Sequence, residues 1–544
     1  MRRRLSGRLN IGWGVSGTSL LFSYLLLAAC SNSGDESAPR KPSSASPESG
    51  EPVRGNSADR PASLPPSSTA TSRGPRAISL GGQSSKIAVT HLGSGSRIYA
   101  RHLRAWVHSQ PSHQSPKLGY LRAGSSAPRG AKATSFTGCK GGWFKIEPDG
   151  FICRGAAATL EVADPTYQLF EQHPPRVGER LPYLYGTVRK PGPIYARLPT
   201  LNEVRESEAD FDRRFPLWLD APGEIGSQFR PDLWNWGAKG TSAKTAWTQQ
   251  LSVNIPRLLR AGTNVAGPDR SPRPTSLILS RLAPRTGHAF LSTFFSEGRR
   301  YGLTTHLEIV PTDRYRPIAG SDFHGVQIGK DIEFPFAFVR RVGAKYSDGK
   351  PAAYRAVLSL TGKKKFIRKR LHYETKSGKY ISDRFASELR LAKKMPRWAK
   401  RGEKWMSISI NKQTLVLYEG IKPVYATLVS TGEAGLESHE TSTATKRGIF
   451  RVHTKHITAT MASDVVGEEF ELRDVPYVQY FAQGGYALHG AYWHDRFGTP
   501  KSHGCINLSP EDARRIFHWT DPPVPAGWHG ALLPLKGTVV FVHP

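Results

Sequence analysis

The chain has few cysteines and few acidic residues for its length. Only four cysteines occur among 544 residues, namely Cys30, Cys139, Cys153 and Cys505. This number excludes a disulfide-dense small scaffold and a protein with several zinc sites. Asp and Glu number 44 against 76 Lys and Arg, so the formal net charge is +32. Such a surplus indicates an anionic partner, which could be nucleic acid, a membrane surface or an acidic polymer.

Long apolar runs are also lacking. The apolar stretch near the N-terminus is too short, and too closely followed by polar sequence, for a comfortable membrane-spanning helix, and no later segment offers a better one. Hydrophobic residues make up 38% of the chain, enough for at least one sizeable core. The length exceeds what one ordinary domain needs, so we expect several domains.

The N-terminus has the form of an export signal. Arginines at positions 2, 3, 4 and 8 precede an apolar stretch centred on residues 20–27, and small residues then lead to Cys30. This order is typical of a secretory signal peptide, which predicts export for residues 1–29. The segment Leu27–Cys30 resembles the lipobox of bacterial lipoproteins, which implies cleavage before Cys30 and lipidation of that residue. The alternative is an ordinary secretory signal with an unrelated cysteine.

Export changes the interpretation of the charge. It excludes nucleic acid as the natural partner and places the remaining cysteines in an oxidising compartment. Together with the lipobox resemblance, Ser31 implies a lipid-anchored protein that faces the periplasm from the outer membrane. Residues 30–76 are rich in Ser, Pro and Gly and contain no aromatic residue, so we expect a disordered tether.

Residues 77–165 are predicted to form a small all-β module, because short apolar runs are broken by Gly, Pro and Ser. The runs 106–111, 118–121, 142–146 and 149–153 resemble a bacterial SH3-like domain, which implies wall binding or merely a spacer. Cys139 and Cys153 flank its last hairpin, and in an exported domain a disulfide between them is favoured over two free thiols.

The middle region, 166–400, is predicted to be β-rich. Segments 295–303 and 373–381 share the pattern of the 143–152 hairpin, which suggests repeated small barrels. The run 363–370 (KKKFIRKR) holds six cations. Export argues against a nucleic-acid site for this run. Two interpretations remain, namely a solvated strand face or loop, and a contact with anionic wall or lipid headgroups.

The C-terminal region, 401–544, alternates apolar and polar residues in successive short strands. This pattern predicts a β-sandwich or barrel, with His489 at the end of one strand. Residues 489–508 then hold the densest cluster of reactive side chains in the chain. Cys505 has histidines two and sixteen residues before it, so one imidazole could take the thiol proton and glycine-rich backbone could hold an oxyanion.

A helix start follows this cluster. Ser509 is suited to the N-cap, Pro510 to the first helical position, and Glu511 and Asp512 to the first turn. We therefore expect Cys505 to lie just ahead of a helix N-terminus, where the helix dipole would favour a thiolate.

The pair His489-Gly490 followed by the run 502–507 (SHGCIN) resembles the catalytic motif of the L,D-transpeptidases, the YkuD-type family. The resemblance covers about the last 140 residues. It implies Cys505 as nucleophile, His489 as base, and the Gly490 carbonyl as the group that orients the imidazole. In the remaining implied roles, Ser502 and Asn507 hold the loop, while His503 and Gly504 shape the oxyanion site with the Cys505 amide.

The family reaction implied is attack on the diaminopimelate–D-alanine bond of a peptidoglycan tetrapeptide stem, with transfer of the acyl group to an amine. The acceptor would be a second stem peptide or a lysine of an envelope protein. No cofactor and no metal are implied. A zinc site built from Cys505 and nearby histidines is the disfavoured alternative, and His494 is interpreted as a loop or rim residue.

Three functions remain open at this point. The first is an envelope-anchored transpeptidase, and the second is a hydrolase of the same fold, a carboxypeptidase or amidase, in which water replaces the amine. The third is a non-catalytic cell-wall-binding lipoprotein built from β-modules.

Overall fold

The computed structural model describes residues 95–220, 255–260, 262, 264, 265, 267, 275–392, 394–463, 470–532 and 537–544. They belong to one unit of the chain, and a second unit, Asn32–His91, lies outside them. The predicted signal peptide 1–29, the lipidation site Cys30 and the tether 30–76 also lie outside the described residues. Among the described residues, no helix is both long and apolar enough to cross a membrane.

The fold is mainly β and contains several sheets, which confirms the predicted fold class. The N-terminal part begins with seven short strands. They are β1 (Arg97–Ala100), β2 (Ala105–His108), β3 (Lys117–Leu121), β4 (Ser126–Pro128), β5 (Trp143–Lys145), β6 (Phe151–Cys153) and β7 (Ala158–Thr159). Their apolar residues, including Val107, Leu121 and Ile152, form one core cluster. Cys139 and Cys153 form a disulfide, so the structure pairs the two cysteines that flank the last hairpin.

The described part of the middle region combines strands with four helices. Its first half contains α1 (Pro165–Glu171), β8 (Leu184–Val188), β9 (Pro193–Tyr195), α2 (Leu201–Ser207), α3 (Phe211–Asp220), β10 (Ile278–Arg281), β11 (Thr286–Ser296), β12 (Arg299–Thr304), β13 (Ile309–Pro311) and β14 (Tyr315–Ile318), with 3₁₀ turns at Arg257–Leu259 and Thr312–Arg314. The sequence interpretation did not include these helices. A readable signal existed for α2, because Thr200 and Glu203 form a reciprocal capping box.

The second half of the middle region forms a separate five-stranded sheet. The elements of this half are β15 (Val326–Gln327), β16 (Phe336–Val339), β17 (Val357–Ile367), β18 (Arg370–Thr375), β19 (Tyr380–Ser382), β20 (Ala386–Leu389) and α4 (Arg397–Lys400). Strands β16 to β20 form the sheet, whereas β15 belongs to another sheet. The segments 295–303 and 373–381 both form hairpins, β11–β12 and β18–β19, but they lie in different sheets. Repeated small barrels remain a prediction.

The C-terminal region is a sandwich of two sheets. Its elements are β21 (Lys404–Ser409), β22 (Thr414–Glu419), β23 (Lys422–Leu428), β24 (Gly448–Arg451), β25 (Thr454–Ser463), β26 (Phe470–Ala482), β27 (Tyr486–Gly490), β28 (Ile506–Leu508), α5 (Pro510–Trp519), β29 (Gly530–Leu532) and β30 (Val539–His543). One sheet has the order β15-β23-β22-β21-β30-β24, and the other contains β25 to β28. Side chains such as Ile408, Leu417 and Val540 pack against Leu488 and Ile506 between them.

The C-terminal sandwich shares sheets with both preceding regions. Strand β3 pairs with β29, and β11 runs parallel to β26, with Gly287 opposite Leu472. A Cβ added at Gly287 would lie 2.3 Å from the hydroxyl oxygen of Tyr492, so the close approach requires glycine. The middle region is thereby held against the loop that follows β27.

Candidate active site

His489 lies on strand β27, and Cys505 directly precedes the adjacent parallel strand β28. Strand β27 ends at Gly490 and β28 begins at Ile506, with His489 opposite Asn507. Side chains alternate along a strand, so Cys505 and Asn507 face the same side as His489, and Cys505 lies diagonally across from it. Both His489 and Cys505 line one cavity of about 480 Å³. The structure therefore brings together the thiol and the imidazole that the sequence paired.

The loop before Cys505 is held by its own side chains. Ser502 Oγ donates to the Cys505 carbonyl and accepts from the Gly504 amide at 3.2 Å. Gly504 has φ +122°, where a side chain is strained, and an added Cβ would lie 2.9 Å from the Tyr486 ring. Ser502 therefore bonds to the two residues that follow His503, and Gly504 provides the backbone conformation that the loop needs next to Cys505.

Residues 430–433, which follow β23, form backbone hydrogen bonds with the same loop. Ser430 and Asn507 exchange two backbone hydrogen bonds of 2.8 and 2.9 Å. Gly432 forms a bridge to Ser502, and the Glu433 amide donates to the Ser502 carbonyl at 2.9 Å. The geometry of the Cys505 loop is therefore fixed by backbone pairing on both sides.

His489 is buried, with 2% of its surface exposed. Burial is the main cause that lowers its pKa to about 3, while the nearby Gly490 carbonyl favours the protonated ring. Within the described part of the chain, His489 Nδ1 has no partner that meets hydrogen-bond geometry. The imidazole is thus neutral at physiological pH, which is the state in which it can accept a thiol proton.

His494, which the sequence interpretation placed in the loop or at the rim, lies in the loop between β27 and β28 and lines the same cavity. Its Nε2 lies 2.9 Å from the Asn507 amide, and its Nδ1 accepts from the Arg496 backbone N–H at 3.2 Å. Since Nδ1 accepts, Nε2 carries the proton, and the Asn507 group that faces it must be the oxygen. This assignment gives Asn507 Oδ1 a partner and makes Asn507 the link between His494 and the loop. No sequence pattern marks this pair.

The cavity draws residues from outside the C-terminal region. Thr187 and Arg285 of the middle region line it beside Phe470, Trp493 and His503. Lys501, also at the cavity, forms an ion pair of 3.3 Å with Glu433. His503 is exposed, so it lies at the mouth rather than beside the buried thiol. Arg285 is a second cationic side chain in the lining of the cavity.

The helix after the motif is present but lies farther from Cys505 than we expected. Helix α5 begins at Pro510, with Ser509 as its N-cap accepting from the Asp512 amide. The extended strand β28 intervenes, and at about 3.3 Å per residue it puts the helix start roughly 15 Å along the chain from Cys505. Because the dipole effect falls off within the first turn, it contributes little to the thiolate.

The alternative role for the histidines near Cys505 is metal ligation. Over the residues that the structure describes, no group of three or more His, Cys, Asp or Glu side chains is arranged to hold a metal ion.

Acid should destabilise the fold because several histidines are buried in neutral form. Burial lowers the pKa of His489 and His456 to about 3 and lowers that of His288 and His529 well below the usual value. As pH falls below about 6.5, the unfolded chain binds protons that the folded chain cannot. The stability present above pH 6.5 is then lost, by about 1 to 2 kcal/mol for each histidine between pH 7 and pH 5.

Denaturation midpoints at a series of pH values check this prediction. We expect a flat region between pH 8 and pH 7 and a steep fall between pH 6 and pH 5. A midpoint that is the same at pH 7 and pH 5 would contradict it.

Comparison with known proteins is consistent with the geometry of the site. The family model of the YkuD L,D-transpeptidase catalytic domain matches residues 403–542. A comparison with curated proteins found no match.

Several solved structures are similar to part of the chain. A mutant of Enterococcus faecium L,D-transpeptidase is 23% identical, with 26% of this chain and 50% of that chain covered and a TM-score of 0.20. L,D-transpeptidase 3 from Mycobacterium tuberculosis is 17% identical, with 42% of this chain and 98% of that chain covered and a TM-score of 0.21. The Stackebrandtia nassauensis L,D-transpeptidase is 27% identical, with 28% of this chain and 57% of that chain covered and a TM-score of 0.18. The chain spans about half the length of the Enterococcus faecium protein. From the family match, residues 403–542 are an L,D-transpeptidase catalytic domain of the YkuD type.

Proposed function

We propose that this protein is a peptidoglycan L,D-transpeptidase that works through an acyl-enzyme on Cys505. The observation that carries the proposal is the placement of Cys505 and His489 on one side of adjacent parallel strands, facing one cavity, inside the matched catalytic domain. Neutral His489 takes the thiol proton. The thiolate then attacks the carbonyl carbon of the diaminopimelate–D-alanine bond of a tetrapeptide stem.

The reaction then proceeds in two balanced steps. The tetrahedral intermediate collapses, D-alanine leaves with the proton from His489, and a thioester joins the stem to Cys505. An amine then attacks the thioester, which forms a new amide and restores the thiol. The amine belongs to a second stem peptide or to an envelope protein. The Cys505 amide, in the loop that His503 and Gly504 shape, holds the oxyanion, while the Gly490 carbonyl, which favours the protonated ring, orients His489 as it takes the proton.

Incubation with purified muropeptides that carry tetrapeptide stems, followed by mass spectrometry, tests the proposal. Cross-linked dimers support transfer, and tripeptides alone indicate the hydrolase, in which water takes the place of the amine. If no product depends on Cys505, the enzyme proposal is refuted and the non-catalytic wall-binding protein becomes the better account.

We further propose that the chain is an envelope lipoprotein with an SH3-like module at 77–165, a middle region at 166–400 and the catalytic domain at 401–544. The seven short strands and the disulfide of the first module support an exported SH3-like fold. The support for lipidation at Cys30 is the resemblance of residues 27–30 to a lipobox. Metabolic labelling with an alkyne fatty acid should mark the protein and should be lost in Cys30→Ala, whereas persistent labelling would refute the anchor.

Arg285 is expected to bind a carboxylate of the stem peptide, because its cationic side chain lines the cavity that also holds Cys505 and His489. Arg285→Gln should raise KM for the donor peptide about three- to tenfold and leave kcat nearly unchanged, since a partly solvated charged hydrogen bond is lost. The matched control is Arg281→Gln, which removes an exposed arginine four residues away that does not line the cavity. Equal KM values for both variants and the unsubstituted enzyme would contradict this role.

A further inference from the structure

The basic run of the middle region forms the end of a β-hairpin. Strands β17 and β18 pair antiparallel, with Lys365 opposite His372, Phe366 opposite Leu371 and Ile367 opposite Arg370. The third strand, β19, pairs with residues 372–374 of this hairpin, and the Asp383 amide donates to the Leu371 carbonyl at 3.0 Å. Residues 366–370 therefore extend beyond the sheet as a two-stranded ribbon. We call residues 363–371 the basic hairpin.

Charge on the basic hairpin is of one sign and lies at the surface. Six of its nine residues are Lys or Arg, and none is acidic. All six are exposed. Among the residues that the structure describes, Lys364, at the base, is the one of these six cations in an ion pair, with Glu388 at 2.7 Å. The end of the ribbon thus presents a concentrated positive potential to solvent.

An apolar side chain lies in the middle of this charge. Phe366 is 73% exposed, although the Leu371 side chain lies opposite it across the ribbon. The half-buried Ile367 points to the other face of the ribbon. An apolar partner that covered the Phe366 ring would remove this surface from water, which is favourable.

The turn that closes the ribbon lacks the residue types that usually form a two-residue hairpin turn. Arg368 and Lys369 have φ values of 48° and 61°, the left-handed conformation that a two-residue hairpin turn requires. Asn-Gly or Asp-Gly satisfies this turn far better than two long cationic residues. The chain therefore accepts local strain in order to place two more charges at the tip, which indicates a functional constraint.

We propose that the basic hairpin docks on an anionic phospholipid surface, with its cations on the headgroups and Phe366 inserted at the boundary of the acyl chains. Charge complementarity alone would also fit an acidic wall polymer. Such a polymer has no apolar phase for Phe366, whereas the membrane interface provides one next to anionic headgroups. The proposal does not depend on the enzymatic activity.

Vesicle co-sedimentation tests the proposal with the full chain carrying Cys30→Ser, so that no acyl anchor contributes. Vesicles are phosphatidylcholine alone or phosphatidylcholine mixed with phosphatidylglycerol. The substitutions Lys363→Gln, Lys365→Gln and Lys369→Gln together should lower partition onto the mixed vesicles about tenfold or more. The matched control removes the same charge at exposed Lys132, Lys140 and Lys145 of the N-terminal module and should change partition by less than about twofold.

A second pair of variants tests the apolar contact. Phe366→Ser should lower partition about threefold or more, whereas Val342→Ser, at a side chain that is 78% exposed, should not. Equal losses in the two charge variants would overturn the proposal in favour of diffuse attraction. Unchanged vesicle binding with reduced binding to insoluble peptidoglycan would overturn it in favour of a polymer site. An effect of Phe366→Ser no larger than that of Val342→Ser would also overturn it.

Discussion

Replacing Cys505 by alanine is expected to reduce turnover of tetrapeptide muropeptides by about four orders of magnitude or more, because the proposed mechanism requires this thiol to form the acyl-enzyme. Among the described residues Cys505 is the one cysteine outside a disulfide, and it lines the same cavity as His489. Turnover by mass spectrometry of products measures the loss. A carbapenem should also form a covalent adduct that disappears in Cys505→Ala.

Two controls separate loss of the nucleophile from loss of the fold. Cys505→Ser keeps the shape of the site and should unfold at the same midpoint as the parent. Cys139→Ser with Cys153→Ser removes two sulfurs that lie outside the cavity and should keep the carbapenem adduct. An adduct of equal mass that remains in Cys505→Ala would show that the nucleophile is another residue.

Replacing Asp474 by alanine is expected to lower the free energy of unfolding by about 3 to 5 kcal/mol, since it leaves the Arg122 charge buried without its partner. Arg122 Nη2 donates to Asp474 Oδ2 at 3.0 Å, and Thr458 donates to Oδ1 at 2.6 Å. The side chains of the ion pair are 7% and 2% exposed. Burial raises the pKa of Asp474, but the charge and hydrogen bonds of Arg122 outweigh it and hold that pKa below its usual range.

The control for Asp474 is an ion pair on the surface. Arg205 and Asp212 are 2.9 Å apart with 48% and 64% of their side chains exposed, so Asp212→Ala should cost less than about 1 kcal/mol. Denaturant midpoints of the three proteins give the comparison. If Asp474→Ala and Asp212→Ala shift the midpoint equally, Asp474 does not act as a buried structural charge.

Asp474 also explains why three parts of the chain form one unit. It lies on β26 of the catalytic domain, Arg122 comes from the N-terminal module, and Thr305 of the middle region donates to the same carboxylate. Tyr185 donates to the Asp474 carbonyl at 2.7 Å. Each partner belongs to a different stretch of sequence, so no local pattern could have identified the cluster.

The local features of the chain were predictable because their signals lie within a few residues. Alternation predicted the strands of the sandwich, and Ser509 with Pro510 predicted the start of α5. The motif around Cys505 predicted the family, which the match over residues 403–542 confirms. The helices α2 and α3 were missed because the β-rich composition of the middle region outweighed the capping signal at Thr200.

The sequence by itself determined the candidate residues of the site: one candidate thiol, one candidate base, and a loop whose glycine and serine fit around them. These residues lie close together along the chain, so short-range geometry restricts their arrangement. Only the tertiary structure decided that His494 bonds to Asn507, that Arg285 reaches the cavity, and that Phe366 stands exposed among cations. Those placements depend on strand register, in which a shift of one residue reverses every side chain, and register is set by packing between distant segments.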